Sequence, residues 1–309
     1  MDNVQFDEAD REALKSMAAQ PRPMNPYQSF VTDVARIFRH GKTYPLGGFP
    51  TPGRNPPAPE APRALIFSPH PDDEAIIGGL PLRLLRERSW NVINVAVTLG
   101  SNPARRQERW KELQACCDYI GFGLQLTRPN GLEGIQLATR TANAQSWSLA
   151  TDCLAGILSR ERPRVIFFPH ADDWNSTHIG THHLVVDALG KLGGQFTCLT
   201  VETEFWGAMD TPNLLVESSE PDIIDLITAL SFHVGEVQRN PYHLRLMAWL
   251  MDNVRRGGEL VGGQGGPAPD FLFGTLYRAR RWRQGEFQPA LHRGRFVSRS
   301  DDLRELFGI

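Results

Sequence analysis

Cysteine is scarce in this chain: Cys116, Cys117, Cys153 and Cys198 are the only four among 309 residues, and none falls in a C-x-x-C pair. That excludes a disulfide-stapled scaffold and a cysteine-rich metal site. Adjacent Cys116 and Cys117 would be strained as a bridge, so all four are expected as core thiols in a reducing compartment. Long apolar runs are missing as well, none approaching the ~20 residues of a membrane span. The opening MDNVQFDEADREALKSM lacks the apolar stretch of a signal peptide, and a soluble cytoplasmic protein is the expectation. An excess of one charge is also absent. A net charge of -2 and a pI near 6.5 give no field for a polyanion, which argues against nucleic acid or an acidic membrane as partner. Finally, no G-x-G-x-x-G follows a strand, and GGQGG (262–266) is therefore no dinucleotide fingerprint.

What is present suits a large globular domain: 41% of residues are hydrophobic and 22% charged, enough to bury a substantial core. Residues 1–62 read as an extension, with amphipathic pieces at Asp7–Met17 and Ser29–His40 and then TYPLGGFPTPGRNPPAPEAP, too rich in Pro and Gly for regular structure. From Ala64 the pattern alternates. Strands are expected at 64–68, 92–98, 165–169 and 197–202, and helices at 74–88, 104–120, 146–160 and 178–192, the second ended by Gly121. This rhythm predicts an α/β fold, a Rossmann-like doubly wound and mostly parallel sheet with helices on both faces. Residues 240–309 read as a long helix, a Gly-rich loop and a strand-like segment that complete or cap a core at 63–239. These flanking parts are available to cover a cleft or to build a homo-oligomer interface.

Two stretches a hundred residues apart read almost alike, FSPHPDDEA (67–75) and FFPHADDWN (167–175). Each is an apolar strand running into Pro-His-x-Asp-Asp, and ligands of such sheets bind at the carboxyl ends of strands. If the strands are neighbours, the loops share one pocket. Downstream of the loops the sequences share no frame, which excludes a duplicated unit. His70, flanked by two prolines, is held in extended backbone. Asp72, Asp73 and Glu74 crowd a helix start, where the dipole favours negative charge, and a divalent cation would join these acids to the histidine. The bland alternative is an acidic N-cap beside an ordinary loop histidine. For the remaining ligands the second loop offers His170, Asp172, Asp173, His178, His182 and His183. His178 and His182 share a helix face at i, i+4, but spacing alone does not choose.

The passage SPHPDDEAIIGG resembles the signature of the PIG-L/LmbE-like N-deacetylase family. RWKELQACCDYIGF, DWNSTHIGTHHLVVDAL and DIIDLITALSFHVGE resemble its weaker motifs, so the likeness spans about Ala64 to Val237. The family comprises zinc-dependent enzymes on a Rossmann-like fold that remove acyl groups, mostly acetyl, from N-acetylglucosamine-type amino sugars and their conjugates. The resemblance implies that His70, Asp73 and His178 are metal ligands for Zn2+ or another divalent cation, and that Asp72 is the general base. It makes Asp173 an outer acid that orients a ligand and Arg109 a residue facing the sugar cleft; the bland reading of Arg109 is a solvated helix face. Asn175 stands where relatives carry a histidine. An amide can donate a hydrogen bond to an oxyanion but cannot release a proton near neutral pH, and the general acid then falls to Asp72 after it has taken a proton, to His182 or to His170.

The expected activity is removal of an N-acyl group from a small-molecule amino-sugar substrate by attack of activated water. The rivals are a metal-dependent phosphoesterase and a catalytically silent sugar-binding protein on the same fold. Glu204 and Trp206, in ETEFWGAM, are further cleft candidates, and His233 is expected mid-helix as a buried, hydrogen-bonded histidine.

Overall fold

The structure, a computed structural model, describes residues 25–304. The helix expected at Asp7–Met17 lies outside them. The chain divides into one unit ending at Tyr44 and another running from Pro45 onward. The first holds α1 (Pro26–Gly41), begun by Asn25, whose side chain accepts a hydrogen bond from the Tyr27 amide, and by Pro26 in the first turn, where a missing N–H costs nothing.

The second unit is built on a nine-stranded sheet. β1 (Arg63–Ser68) leads through two short helices, α2 (Asp73–Ile76) and α3 (Gly79–Arg88), to β2 (Asn91–Ala96). Next come α4 (Arg106–Ile120), β3 (Gly123–Leu126), α5 (Leu137–Ala142), α6 (Ala144–Glu161), β4 (Val165–Pro169), α7 (Ser176–Lys191) and β5 (Cys198–Thr203). The remainder is β6 (Leu214–Ser218), α8 (Glu220–Ser231), α9 (Val234–Arg239), α10 (Leu246–Gly262), β7 (Phe273–Arg283), β8 (Glu286–Pro289) and β9 (Arg295–Val297).

The sheet order is β3-β2-β1-β4-β5-β7-β6-β9, with β8 on β7. From β3 to β5 every pairing is parallel, whereas β7 runs antiparallel to both β5 and β6. Central parallel strands are covered on both faces and read as continuous apolar runs; in β1 and β4 alternate residues enter opposite cores. Ala64, Ile66, Val165 and Phe167 face a layer with residues of α3, α4, α8 and α10. Leu65, Phe67, Ile166 and Phe168 face a layer with residues of α6 and α7. The α/β fold is thus doubly wound with helices on both faces.

Two expectations need correction. The helix over 74–88 is broken in two at Gly78, whose φ of 81° suits glycine alone; a Cβ there would lie 2.0 Å from Thr275 Oγ1. The C-terminal part supplies three strands, not one, because β7 inserts beside β5 and offers a fresh edge to β6 and β8. The prolines and glycines of 45–62 pack as an arm: Arg54 donates to the backbone oxygens of Tyr119 and Ile120 and pairs with Asp225 at 3.3 Å.

Candidate active site

β1 and β4 are direct neighbours, with Ile66 in register with Phe167. The chain winds from β1 outward to β2 and β3, then returns to continue on the other side with β4 and β5. The crevice between β1 and β4 is therefore the topological switch point, where doubly wound sheets bind ligands. Both Pro-His-x-Asp-Asp loops leave the sheet there.

His70 Nδ1, Asp73 Oδ2 and His178 Nε2 converge in this crevice. The two imidazole nitrogens are 3.2 Å apart, His70 lies 3.5 Å and His178 3.3 Å from the carboxylate oxygen. Two donors each ~2.0–2.1 Å from a tetrahedral ion stand about 3.3 Å from one another, so the triangle has the dimensions of a three-ligand metal site. The donor chemistry fits too. Asp73 is fully buried, its Oδ1 has no hydrogen-bond partner, and such a group is costly without a cation. Burial would raise the Asp73 pKa, but His178 and His70 hold it well below the ordinary carboxylate range. Burial likewise opposes a charged His178, but Asp73 and Asp173 outweigh it and lift the imidazole to about 10. Without an ion, a proton on His178 takes the place of the cation.

Local structure places each donor. His70 lies two residues past the end of β1, and its amide donates to Asp73 Oδ2 at 2.8 Å. Asp73 opens α2. His178 lies in the first turn of α7, whose N-cap is Asn175: Asn175 Oδ1 accepts from the amides of Thr177 at 2.9 Å and His178 at 3.4 Å. Asp173 Oδ2 stands 3.4 Å from His178 Nδ1, and the same oxygen accepts from the amides of Trp206 and Gly207, so its position is fixed by the loop after β5. This arrangement turns His178 Nδ1 toward Asp173 and Nε2 inward.

Asp72 is the carboxylate next to the triangle but not part of it. Its φ of 109° is a left-handed conformation that a non-glycine residue adopts only when its surroundings impose it. Here the Asp72 amide donates to Glu74 Oε2 at 2.9 Å, Tyr242 Oη donates to Asp72 Oδ2 at 2.6 Å, and Arg109 Nη2 donates to Pro71 O at 2.8 Å while standing 3.8 Å from Asp72 Oδ2. Burial, reinforced by Asp73, pushes the Asp72 pKa up to about 7 against His233, Arg109 and Tyr242, which leaves an acid–base group balanced near neutrality. Glu74 is itself held by His233 Nε2 at 2.7 Å, both side chains being fully buried. His233 sits at the junction of α8 and α9 rather than mid-helix.

The other candidates lie elsewhere. His170 is buried with Nε2 2.9 Å from Gly207 O. His182 donates from Nδ1 to Pro169 O at 2.9 Å and faces Glu202 at 3.4 Å. Glu204 is bound by Arg256 through two contacts. Trp206 is partly exposed and packs on Tyr242 and Trp174. Sequence reasoning missed Tyr242, which sits in a 3-10 turn 170 residues from Asp72, and Phe205, whose ring meets that of His178 edge-on at 4.9 Å; neither carries a local motif.

Fold and site together define an α/β protein with two histidines and one carboxylate that could hold a metal ion, and a further carboxylate, Asp72, at their side. The model of the PIG-L family, described as GlcNAc-PI de-N-acetylase, matches residues 65–189, the stretch that carries His70, Asp72, Asp73 and His178. Among solved structures, the chain is similar to the N,N'-diacetylchitobiose deacetylase of Pyrococcus horikoshii, with 15% identity over 86% of this chain and 96% of that one and a TM-score of 0.52. It is similar also to the A40926 pseudoaglycone deacetylase Dbv21, with 15% identity over 73% and 99% and a TM-score of 0.52. A third similar chain is GalB, the 4-carboxy-2-hydroxymuconate hydratase of Pseudomonas putida KT2440, with 14% identity over 71% and 95% and a TM-score of 0.52. At these identities the likeness speaks for the fold alone, and a hydratase among the three shows that this fold hosts more than one reaction. No curated protein sequence matches the chain. Among the described residues, no helix is long and apolar enough to cross a membrane.

Proposed function

We propose that this protein is a metal-dependent amide hydrolase that removes an N-acyl group from an amino sugar or its conjugate. The observation that carries the reading is the triangle of His70, Asp73 and His178 with Asp72 beside it, held by Tyr242 but left out of the ligand set. His70, Asp73 and His178 would hold the cation, and two imidazoles with one carboxylate suit zinc. When bound, such an ion supplies Lewis acidity for the substrate carbonyl and a lowered pKa for water.

The chain's own residues do the rest. Asp72 takes a proton from the attacking water as its oxygen joins the carbonyl carbon. When the carbon–nitrogen bond breaks, the same carboxyl returns that proton to the departing nitrogen, so carboxylic acid and free amine leave and Asp72 is regenerated. Tyr242 keeps the carboxylate oriented through this exchange. Asp173 fixes the tautomer of His178. Arg109 braces the Asp72 loop at Pro71 O and keeps its positive charge near the developing anion. Asn175 acts through its cap, which sets the start of α7 and thereby the position of His178. The PIG-L match over 65–189 supports this reading over the phosphoesterase.

The test is acetate and free-amine release from an N-acetylglucosamine glycoside by the zinc-loaded protein, with p-nitrophenyl phosphate as the competing substrate. Asp72→Asn is expected to lower release by at least ~100-fold while elemental analysis finds unchanged zinc. Equal release from wild type and Asp72→Asn, or turnover of the phosphate ester alone, rejects the proposal.

A further inference from the structure

Next to the metal triangle lies a cavity of about 470 Å³ that the chemistry above does not use. Its walls include Ile76, Phe205, Leu230, Tyr242, Leu246 and Trp249. Of these, Ile76, Phe205, Leu230 and Leu246 are almost completely buried. Three wall residues also belong to the site. Tyr242 donates to Asp72, Phe205 packs its edge on the His178 ring, and Ile76 follows Asp73 in the single turn of α2. Through Tyr242 and Phe205 the cavity wall touches Asp72 and His178.

Two groups that reach Asp72, Arg109 and Tyr242, stand in flanks of different chemistry. On one lies Arg109, with Gly100 O holding Arg106, and Glu133 and Glu236 pairing Arg106 and Arg105. This flank suits hydroxyl and charged groups. On the other, around Tyr242, the wall is mostly aliphatic and aromatic, with the side chains of Asn240 and Arg245 as its polar members beside the Tyr242 hydroxyl and the Trp206 indole. An amide carries two substituents, and a sugar ring with its hydroxyls matches the first flank. The second has a volume within the range of drug-sized ligand pockets, far beyond the two carbons of an acetyl group.

We infer that the cavity lined by Ile76, Phe205, Leu230, Tyr242, Leu246 and Trp249 is an acyl pocket, and that the preferred substrate is an amino sugar bearing a medium-chain N-acyl group of about six to ten carbons. The inference rests on the amide-hydrolase reading and adds to it the nature of the acyl group. Each methylene taken from water into such a wall raises kcat/KM roughly three- to fourfold, until the cavity is filled.

The experiment uses the zinc-loaded full chain and a series of methyl glucosaminides carrying N-acetyl, N-butyryl, N-hexanoyl and N-octanoyl groups, read by free-amine release. The expected result is a rise in kcat/KM along the series, reaching at least ~100-fold between acetyl and octanoyl. Trp249→Ala is expected to lower the octanoyl value at least ~10-fold and leave the acetyl value within about twofold. Leu246→Trp, which fills the cavity, is expected to reverse the order of the series. Should that variant fail to fold, octanoate must still inhibit the wild type at concentrations at least ~30-fold below acetate.

A flat series, with every member hydrolysed, overturns the acyl pocket and leaves the hydrolase standing. A rate that instead climbs with the length of an alkyl aglycone at constant N-acetyl assigns the cavity to the amine side and overturns it too. No amine from any member, with zinc bound, overturns both readings.

Discussion

Asp72 shows how a single residue can combine a poor backbone conformation with a useful side chain. A left-handed φ costs on the order of 1–3 kcal/mol at a non-glycine position, and three groups hold it: Glu74 on the amide, Arg109 on the preceding carbonyl and Tyr242 on the carboxylate. None of this is visible in HPDDE as a string, which announces acids and a histidine but not which acid stands apart. His182 makes a second case at this scale. Burial first, against the opposing pull of Glu202 and Pro169 O, brings its pKa down to about 4, from an ordinary value near 6.5. The folded state then binds fewer protons than the unfolded state between those values. Its stabilising effect is therefore complete above pH ~6.5 and is lost as pH falls toward 4, by up to about 3 kcal/mol. Urea unfolding at pH 7.5 and 4.5 is expected to show a larger loss for wild type than for His182→Asn, whose amide can still donate to Pro169 O.

Among the elements, α2 is a single turn, too short to hold itself, yet it carries Asp73 and Glu74. Its anchor is the buried bond from His233 to Glu74 Oε1, which ties it to the α8–α9 junction 159 residues away. Burial disfavours a charged His233, but Glu74 and Asp72 more than offset this and raise its pKa. Removing one partner of a buried pair costs about 3–5 kcal/mol. His233→Phe is expected to lose about 3 kcal/mol in urea unfolding and to lower kcat with little change in KM. His233→Gln, which keeps an N–H donor, is expected to recover part of both. Equal kcat in all three proteins would make the bond purely structural. Most helices and the central strands were legible, since periodicity and apolar runs are local. The break at Gly78 and the small strands β6, β8 and β9 were not, because a long-range contact with Thr275 and the insertion of β7 decide them.

For the molecule as a whole, a site assembled from β1, α2 and α7 exists only in the folded chain, so an ion that binds there stabilises the fold by mass action. Zinc at a thousand times its dissociation constant is expected to add about 4 kcal/mol and to raise Tm by roughly 5–15 °C. Differential scanning fluorimetry with and without a chelator checks this. His178→Ala is expected to abolish the shift, and an unchanged shift in that variant would place the ion elsewhere. The candidate cluster of Glu74, Cys116 and His233 provides the internal control, since burial and Glu74 hold the Cys116 thiol well above its usual range and so make it a poor ligand.

By itself the sequence determined the α/β rhythm, the two strand-ending loops and the histidines and acids they carry, because periodicity and residue chemistry are properties of short segments. Tertiary structure alone decided that β1 and β4 are neighbours, that Tyr242 reaches Asp72 and that an apolar cavity adjoins the site. Each of those depends on chain crossings between residues far apart in sequence, and spacing along the chain carries no information about distance across a sheet.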